Sequence, residues 1–326
     1  MMNINDTTGK LVIIGSSTGG LRAIKRICSS LPQTMSRILI IQYMQGFMSE
    51  TFVESLRTMV NMDVELAQDG SLLRDGLILI APSNMHVRIV NNRMIALKPP
   101  KQGNRAITSI DIAMKSIRKM PGVDVTGIIL SGMGSDGVEG ITHIKEIGGT
   151  TVVQSKDTCS VWNLPNEVFS TGTIDMILTP EGIAREISIM RFPVTCEEDI
   201  VLARSIGHKL AETIGFGTVE RSKIVMAISE LSRNIVVHAG DGVVELSTVY
   251  SKGKDRVGLE IMAKDTGPGI TDVEEAMTDH FTTAGGLGMG LGGTEKLMDE
   301  LTIDTEVGSG TWVGVKKWLQ GSNPIY

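Results

Sequence analysis

The sequence has few cysteines and lacks any long run of apolar residues. Its cysteines, Cys28, Cys159 and Cys196, are too widely spaced for a zinc or redox motif. The apolar run near the N-terminus, Leu11–Ile14, is much shorter than a signal peptide core or a membrane-spanning helix requires. We therefore expect a cytoplasmic protein with reduced thiols and without membrane insertion.

Basic residues are not in excess, and aromatic residues make up only 4% of the chain. Basic and acidic residues number 18 and 17 up to Met190, and 13 and 20 beyond it, so neither half has the basic surface of a nucleic-acid-binding domain. We expect no nucleic-acid partner. With 41% hydrophobic residues over 326 positions, the composition is that of a globular protein with room for two domains.

Between residues 8 and 190, short β-branched runs alternate with amphipathic stretches. Leu11–Ile14 precedes a helical pattern at Leu21–Ser30, and Arg37–Ile41 precedes another at Ser49–Val60. Apolar strands separated by helical periods are typical of a mostly parallel sheet that is covered on both faces. We predict an α/β domain here, with a doubly wound sheet.

The pattern changes near Pro193, a residue that we expect to exclude a regular element. We place a linker at 191–197 and a second domain at 198–320. In this domain two long helical patterns, Asp199–Ile214 and Glu220–Ala239, precede several short strand patterns. Helices gathered before antiparallel strands predict an α+β sandwich.

Two motifs of the second half contain the residue types of a nucleotide site. Glu230 and Asn234 are four apart, so a helix places both on one face, where an Asn oxygen can bind Mg²⁺ and a Glu can accept a proton from an attacking hydroxyl. The Asp265 carboxylate can accept a hydrogen bond from the exocyclic amine of adenine, while Gly267 and Gly269 let backbone approach the base. Each motif alone is weak, because such pairs are usually solvated and Asp-x-Gly-x-Gly is commonly a turn.

Two further motifs follow in order. The run Gly285–Gly293, which includes Gly286, Gly288 and Gly290, opens a helix and suits phosphate groups, which backbone amides and the helix dipole attract. Thr311 begins the last strand, where it can support an adenine pocket. The order of the four motifs, rather than any one of them, predicts ATP and Mg²⁺ as ligands.

Together these residues resemble the GHKL ATPase superfamily, and the Glu-Leu-Ser-Arg-Asn sequence at 230–234 is similar to the serine-protein kinases of the stressosome and anti-sigma-factor group. The resemblance implies that Asn234 holds Mg²⁺ and that Glu230 is the catalytic base. It also implies a phospho-accepting serine or threonine on a small antagonist-type, STAS-like domain. A regulatory phosphatase or a sigma-pathway protein is a further partner that it suggests.

In the first half, Val12–Gly20 predicts a strand, a sharp turn and the start of a helix. This geometry can lift the Ser17 hydroxyl above the carboxyl edge of a parallel sheet, beside amides that hold an oxyanion or a phosphate. Strands that end near Tyr43 and Asp136 should meet Ser17 at that edge, since ligands bind in this crevice of open α/β sheets.

These residues resemble the catalytic domain of the CheB chemotaxis methylesterases, which remove methyl groups from receptor glutamates. The resemblance puts Ser17 on the nucleophile and Asp136 on the orienting acid, but Tyr43 on the position of the catalytic histidine. A neutral Tyr is no general base at pH 7, so the serine lacks activation unless His86 substitutes. We predict a degenerate esterase domain that is kept for binding.

The leading hypothesis is an ATP- and Mg²⁺-dependent serine/threonine kinase fused to this methylesterase-like domain, in cytoplasmic bacterial signalling. One alternative is an active protein-glutamate methylesterase with Ser17 as its ester-cleaving nucleophile. Another is a non-catalytic switch whose ATP-bound lid, Thr271–Gly290, gates the binding of a partner.

Overall fold

The structure is a computed structural model that describes residues 9–45, 48–100, 108–251, 253, 256–278 and 290–320. By their internal contacts these residues divide into two units, between Ser188 and Ile189. Among them, no helix combines the length and the apolar character needed to cross a membrane.

The first unit is built around parallel strands. Its described strands are β1 (Gly9–Ser16), β2 (Arg37–Gln42), β3 (Asp63–Leu66), β4 (Leu77–Ile80), β5 (His86–Val90), β6 (Met94–Lys98), β7 (Val123–Ile129), β8 (Thr150–Gln154) and β9 (Met176–Leu178). Seven of them form one sheet in the order β3-β4-β2-β1-β7-β8-β9, in which every neighbouring pair is parallel. β5 and β6 form a separate antiparallel hairpin.

Helices cover both faces of this sheet. They are α1 (Gly20–Ser30), α2 (Met48–Arg57), α3 (Ile110–Lys115), α4 (Val138–Glu146), α5 (Asn163–Phe169) and α6 (Pro180–Ser188). Along β1, Leu11 and Ile13 join one buried core with α3, α4 and α5, while Val12 and Ile14 join the other with α1, α2 and α6. Because β1 is buried on both faces, its sequence is apolar without alternation, and the predicted doubly wound sheet is confirmed.

The order of the strands reverses at β1. From β1 the chain passes to β2 on one side, and it later returns to β7 on the other side. The carboxyl ends of these three strands therefore open into a crevice, the usual position of ligands in sheets of this topology. Ser17 directly follows β1, Tyr43 directly follows β2, and Asp136 lies on the loop after β7.

The second unit combines an antiparallel sheet with helices, as predicted. Its described elements are β10 (Met190–Val194), α7 (Glu197–Ile214), α8 (Thr218–Asn234), a π-helical turn (Ile235–Ala239), β11 (Gly242–Tyr250), β12 (Val257–Asp265), α9 (Val273–Ala276), α10 (Gly290–Leu297), β13 (Glu300–Glu306) and β14 (Gly310–Trp318). The strand order is β10-β11-β12-β14-β13, and neighbouring strands are antiparallel. Leu246, Ile261 and Val315, which lie opposite one another on β11, β12 and β14, are fully buried and contribute to an apolar face of the sheet.

The expectation that Pro193 excludes a regular element was wrong. Met190–Val194, which covers much of the expected linker at 191–197, forms β10 at the edge of the second sheet, with Pro193 opposite Val243 of β11. Proline has no N–H to donate, but one side of an edge strand has no partner strand, so the ring is tolerated there. α7 then begins at Glu197.

Candidate functional site

A cavity of about 630 Å³ opens in the second unit. It lies between the C-terminal ends of α8 and β12 and the start of α10. Small-molecule sites commonly have volumes of roughly 300–1,000 Å³, so the cavity has the size of a ligand site. Much of its wall is apolar and is formed by Leu231, Ile235, Ala263, Leu291 and Val313.

Two polar side chains of α8 face this cavity. Glu230 and Asn234 both line it, one helical turn apart, as their spacing predicts. Within the described residues, neither side chain makes a hydrogen bond or an ion pair. Their oxygens are therefore available to a ligand, and the Asn234 oxygen is of the kind that Mg²⁺ prefers. The helix widens into its π-helical turn directly after Asn234, a feature that recurs at functional sites.

Asp265 ends β12 and faces the same cavity. Its Oδ1 accepts hydrogen bonds from the backbone N–H groups of Gly267, at 2.9 Å, and Thr311, at 3.2 Å. These bonds fix the carboxylate, while its Oδ2 has no partner among the described residues. A fixed acceptor among apolar walls selects a ligand that donates a hydrogen bond, and the exocyclic amine of adenine is such a donor.

Two glycines allow the backbone around Asp265 to close tightly. Gly269 has a φ of 74°, and a Cβ there would lie 2.4 Å from the carbonyl oxygen of Glu306. Gly310 has a φ of 117°, and a Cβ there would lie 2.1 Å from the carbonyl oxygen of Asp265. Both positions need a left-handed backbone and space without a side chain, which glycine provides.

The structure brings most of the predicted nucleotide-binding residues to this cavity, namely Glu230, Asn234, Asp265, Gly269, Gly290 and Thr311. Gly267 does not line it. Its N–H supports the Asp265 carboxylate from behind, and a Cβ at Gly267 would lie 2.7 Å from the Cβ of Ala239. The predicted approach of Gly267 to the base stays a prediction. Gly286 and Gly288 lie outside the described residues.

Sequence reasoning missed Thr305, which holds the loops of the site together. Its Oγ1 accepts a hydrogen bond from the N–H of Ile270 at 2.9 Å and donates to the carbonyl oxygen of Gly310 at 3.2 Å. It also lies 3.1 Å from the hydroxyl oxygen of Thr311. A lone threonine in a strand of alternating residues has no distinguishing pattern, so no sequence signal could have found it.

The crevice of the first unit places Ser17 in the turn between β1 and α1. The Ser17 N–H donates to the carbonyl oxygen of Ser131 at 3.1 Å. The Gln42 amide donates to the Ser17 carbonyl oxygen at 2.9 Å and accepts a hydrogen bond from the Ser16 hydroxyl at 2.6 Å. Gln42, which sequence reasoning also missed, therefore fixes the turn that presents Ser17.

Tyr43 and Asp136 meet in the same crevice, where the phenol donates a hydrogen bond to the carboxylate. Asp136 also accepts hydrogen bonds from the Ser109 hydroxyl at 2.8 Å and from the N–H groups of Ile110 and Asp111, at 2.7 and 3.1 Å. Burial, followed by this hydrogen bond and the nearby carboxylate charges, raises the pKa of the Tyr43 phenol well above its ordinary value. Burial and the Asp136 charge also raise the pKa of Asp111, to about 6.

The described residues place no hydrogen-bonded base beside Ser17. Within the described residues, no hydrogen bond joins the Ser17 hydroxyl to Tyr43 or to His86. His86 lies on β5, with its Nδ1 buried and without a partner in the described part of the chain. The protonated phenol of Tyr43 cannot accept a proton from a serine hydroxyl at neutral pH.

Family comparisons divide the chain as the two units do. The model of the CheB methylesterase family matches residues 12–187, and that of the histidine kinase-like ATPase domain matches residues 192–317. Over 127 residues the chain is 46% identical to the serine/threonine-protein kinase RsbT of Bacillus subtilis, which covers 39% of this chain and 94% of RsbT.

The first unit is similar to methylesterases in sequence and in structure. The chain is 35% identical over 185 residues to a protein-glutamate methylesterase/protein-glutamine glutaminase of Bdellovibrio bacteriovorus, covering 56% of this chain and 52% of that protein. The chain thus spans about half the length of such curated methylesterases. The crystal structure of the Thermotoga maritima CheB methylesterase catalytic domain matches with a TM-score of 0.52 and 29% identity, over 55% of this chain and 97% of that one.

Proposed function

The chain belongs to the CheB methylesterase family over residues 12–187 and to the histidine kinase-like ATPase family over residues 192–317, and from this fusion we propose a two-part bacterial signalling protein. Its second unit is an ATP- and Mg²⁺-dependent serine/threonine kinase, and its first unit is a methylesterase-like domain without turnover. One observation carries the kinase assignment: Glu230, Asn234 and Asp265 line a single cavity, with ligand-facing oxygens that have no partner among the described residues.

The residues around this cavity fit an adenine nucleotide. Asp265 offers a fixed acceptor among apolar walls, and Gly269 and Thr311 bring backbone close beside it. Gly290, also in the wall, begins α10, whose N-terminal N–H groups suit phosphate oxygens. The adenine would therefore lie toward Asp265, and the phosphates toward α10 and Asn234.

Each residue of α8 that faces the cavity has a role in the proposed reaction. Asn234 supplies an oxygen ligand to Mg²⁺, and Glu230 accepts the proton of the attacking serine or threonine hydroxyl. ATP, when bound, supplies the phosphoryl group. Since positioning and charge stabilisation account for most phosphoryl-transfer catalysis, the rigid spacing of these side chains on one helix is the main contribution of the chain.

The hydrogen bond from Tyr43 to Asp136 supports the loss of esterase turnover in the first unit. The other hydrogen bonds that Asp136 accepts come from Ser109 and from two backbone N–H groups, so among the described residues no histidine pairs with this acid to serve Ser17 as a base. The crevice with Ser17 and Gln42 is nevertheless formed. We therefore assign this unit a binding role in place of hydrolysis.

The proposed phospho-acceptor is a serine or threonine of a small STAS-like antagonist domain. The similarity to the serine/threonine-protein kinase RsbT supports the type of acceptor side chain. A regulatory phosphatase or another sigma-pathway protein would act alongside it. A kinase that depends on ATP and Mg²⁺ needs a compartment that supplies both, so we also propose a cytoplasmic location.

Transfer from γ-labelled ATP to purified STAS-like domains tests the kinase proposal, with the full chain, Mg²⁺ and the Glu230→Gln variant in parallel. We expect label on a serine or threonine of one domain. Glu230→Gln should lower this transfer by roughly 10²–10⁴-fold, because it removes the base, and should leave ATP binding intact.

Equal transfer by Glu230→Gln and the wild type would refute the assignment of the base. ATP binding without transfer to any acceptor would instead favour the nucleotide-gated switch. ATP binding is measured by calorimetry for the wild type and for Glu230→Gln. This measurement distinguishes a loss of transfer from a loss of the nucleotide site.

A further inference from the structure

Arg233 is a charged residue of the nucleotide cavity that has no role in the proposed reaction. It lines the cavity, directly precedes Asn234 and follows Glu230 by three residues. At 100° per residue, these three side chains project within one broad arc of α8. Arg233 therefore lies at the end of the cavity where Mg²⁺ and the acceptor hydroxyl are proposed to meet.

The guanidinium of Arg233 is held only weakly. Its Nη2 lies 3.7 Å from Oε2 of Glu197, the first residue of α7, and the two side chains are 39% and 63% exposed. Exposed ion pairs of this kind contribute little to stability. Within the described residues, the N–H donors of Arg233 make no hydrogen bond. The guanidinium can therefore leave Glu197 at small cost when a stronger anion arrives.

The cavity wall carries several carboxylates, whose charge the Arg233 guanidinium can offset. Four carboxylates line the cavity, those of Glu230, Asp265, Asp272 and Glu275. In the described part of its wall, Arg233 is the only arginine, and no lysine is present. A polyphosphate would be repelled by so many carboxylates, and the planar guanidinium is the group best able to offset that repulsion, because it can donate two parallel hydrogen bonds to a phosphate.

We propose that Arg233 binds the terminal phosphate of ATP, releasing Glu197 as it does so, and thereby makes the cavity prefer ATP to ADP. The proposal rests on the nucleotide site proposed above. Arg233 is adjacent to Asn234 rather than to Asp265, so its guanidinium meets the phosphate end of the ligand. With ADP the last phosphate is missing, and Arg233 stays paired with Glu197.

Calorimetric titration of the full chain with ATP and with ADP, both with Mg²⁺, tests this proposal. Arg233→Met keeps the apolar stem and removes the charge, so it should weaken ATP binding by about 10- to 100-fold and change ADP binding by less than about twofold. Arg233→Lys keeps the positive charge but lacks the planar, two-pronged guanidinium. Its ATP affinity should therefore lie between those of the wild type and Arg233→Met. Arg204→Met, at an exposed position of α7 outside the cavity, is the matched control and should change neither affinity.

Glu197→Gln provides an independent test, because it removes the carboxylate that competes with ATP for Arg233 and lies outside the cavity lining. ATP binding should tighten by about two- to fivefold, ADP binding should not change, and the gain should vanish when Arg233→Met is also present. Equal losses of ATP and ADP affinity in Arg233→Met, or an unchanged ATP affinity, would overturn the proposal while leaving the nucleotide site intact. A wild-type chain that binds neither nucleotide would overturn both.

Discussion

Asp136 and Asp265 each accept hydrogen bonds from backbone N–H groups. They differ in whether both carboxylate oxygens have a hydrogen-bond partner. Both oxygens of Asp136 are occupied, and one of them accepts the phenol of Tyr43. Asp265 uses Oδ1 for two backbone N–H groups and leaves Oδ2 without a partner among the described residues. Asp136 thus has a hydrogen-bond partner for each oxygen, while Asp265 has one oxygen available to a ligand.

Asp265→Asn should separate the structural bonds of this residue from its binding role. The Asn oxygen can still accept the N–H groups of Gly267 and Thr311, but its amino group then faces the ligand and cannot accept a hydrogen bond. We expect ATP affinity to fall by about 10- to 100-fold, as for loss of a hydrogen bond to a charged group, with little change in thermal stability. Titration calorimetry and a melting curve check this, and unchanged ATP affinity would argue against an adenine contact at Asp265.

Tyr43→His should restore the missing base of the first unit. An imidazole beside Asp136 can accept the Ser17 proton at neutral pH, as the phenol cannot, and general base catalysis contributes roughly 10²–10⁴-fold. Hydrolysis of a small activated ester by Tyr43→His should therefore exceed that of the wild type. Tyr43→Phe serves as the control without a base, and Ser17→Ala in the Tyr43→His background should abolish the gain. Equal rates of ester hydrolysis in Tyr43→His and Tyr43→Phe would contradict the prediction that a base at position 43 is sufficient to restore hydrolysis.

At the level of elements, the turn after β12 shapes the nucleotide cavity. Gly269 has positive φ and leaves no room for a Cβ beside Glu306. Gly308, in the turn between β13 and β14, has a similar φ of 84°, but a Cβ there would meet no atom within 4 Å. The two glycines therefore share the same backbone requirement and differ in steric space.

Gly269→Ala and Gly308→Ala form a matched pair. Each should lose about 1–2 kcal/mol of unfolding free energy, because alanine is strained in a left-handed backbone. Gly269→Ala should lose a further 1–3 kcal/mol, approximately, from the clash with the Glu306 carbonyl, and should weaken ATP binding as the turn shifts. Urea unfolding and calorimetry measure both quantities. Equal stability of the two variants would contradict the close approach at Gly269.

Long periodic elements of the chain were predictable, whereas short or atypical ones were not. The helices near Leu21–Ser30 and Asp199–Ile214 show clear periodicity, and the structure has α1 and α7 there. The hairpin β5–β6 and the edge strand β10 were missed, because a few residues around turn-forming or proline positions give too little pattern.

The candidate sites were predictable where residues recur in ordered motifs. The four-residue spacing of Glu230 and Asn234 placed both in one cavity. Arg233, Gln42 and Thr305 were missed, because their roles depend on contacts between residues that are far apart in sequence. Their partners are set by tertiary packing, which a single sequence does not display.

At the scale of the whole molecule, two folds with different sheet topologies share one chain. The parallel sheet presents its crevice where the strand order reverses, and the antiparallel sheet presents its cavity at the ends of α8 and β12. Each site is assembled from residues of its own unit. The proposed functions follow this division, with binding assigned to the crevice of the first unit and phosphoryl transfer to the cavity of the second.

Binding of ATP to the full chain with Mg²⁺ and with EDTA, for the wild type and Asn234→Ala, tests most directly whether the cavity of the second unit binds Mg²⁺ together with ATP. Mg²⁺ should tighten ATP binding to the wild type by at least about tenfold, because Asn234 holds the cation against the phosphates. Asn234→Ala should lose that gain and still bind ATP in EDTA. A variant that responds to Mg²⁺ as the wild type does would contradict the assignment of Asn234, and a wild type that binds no ATP would contradict the nucleotide site itself.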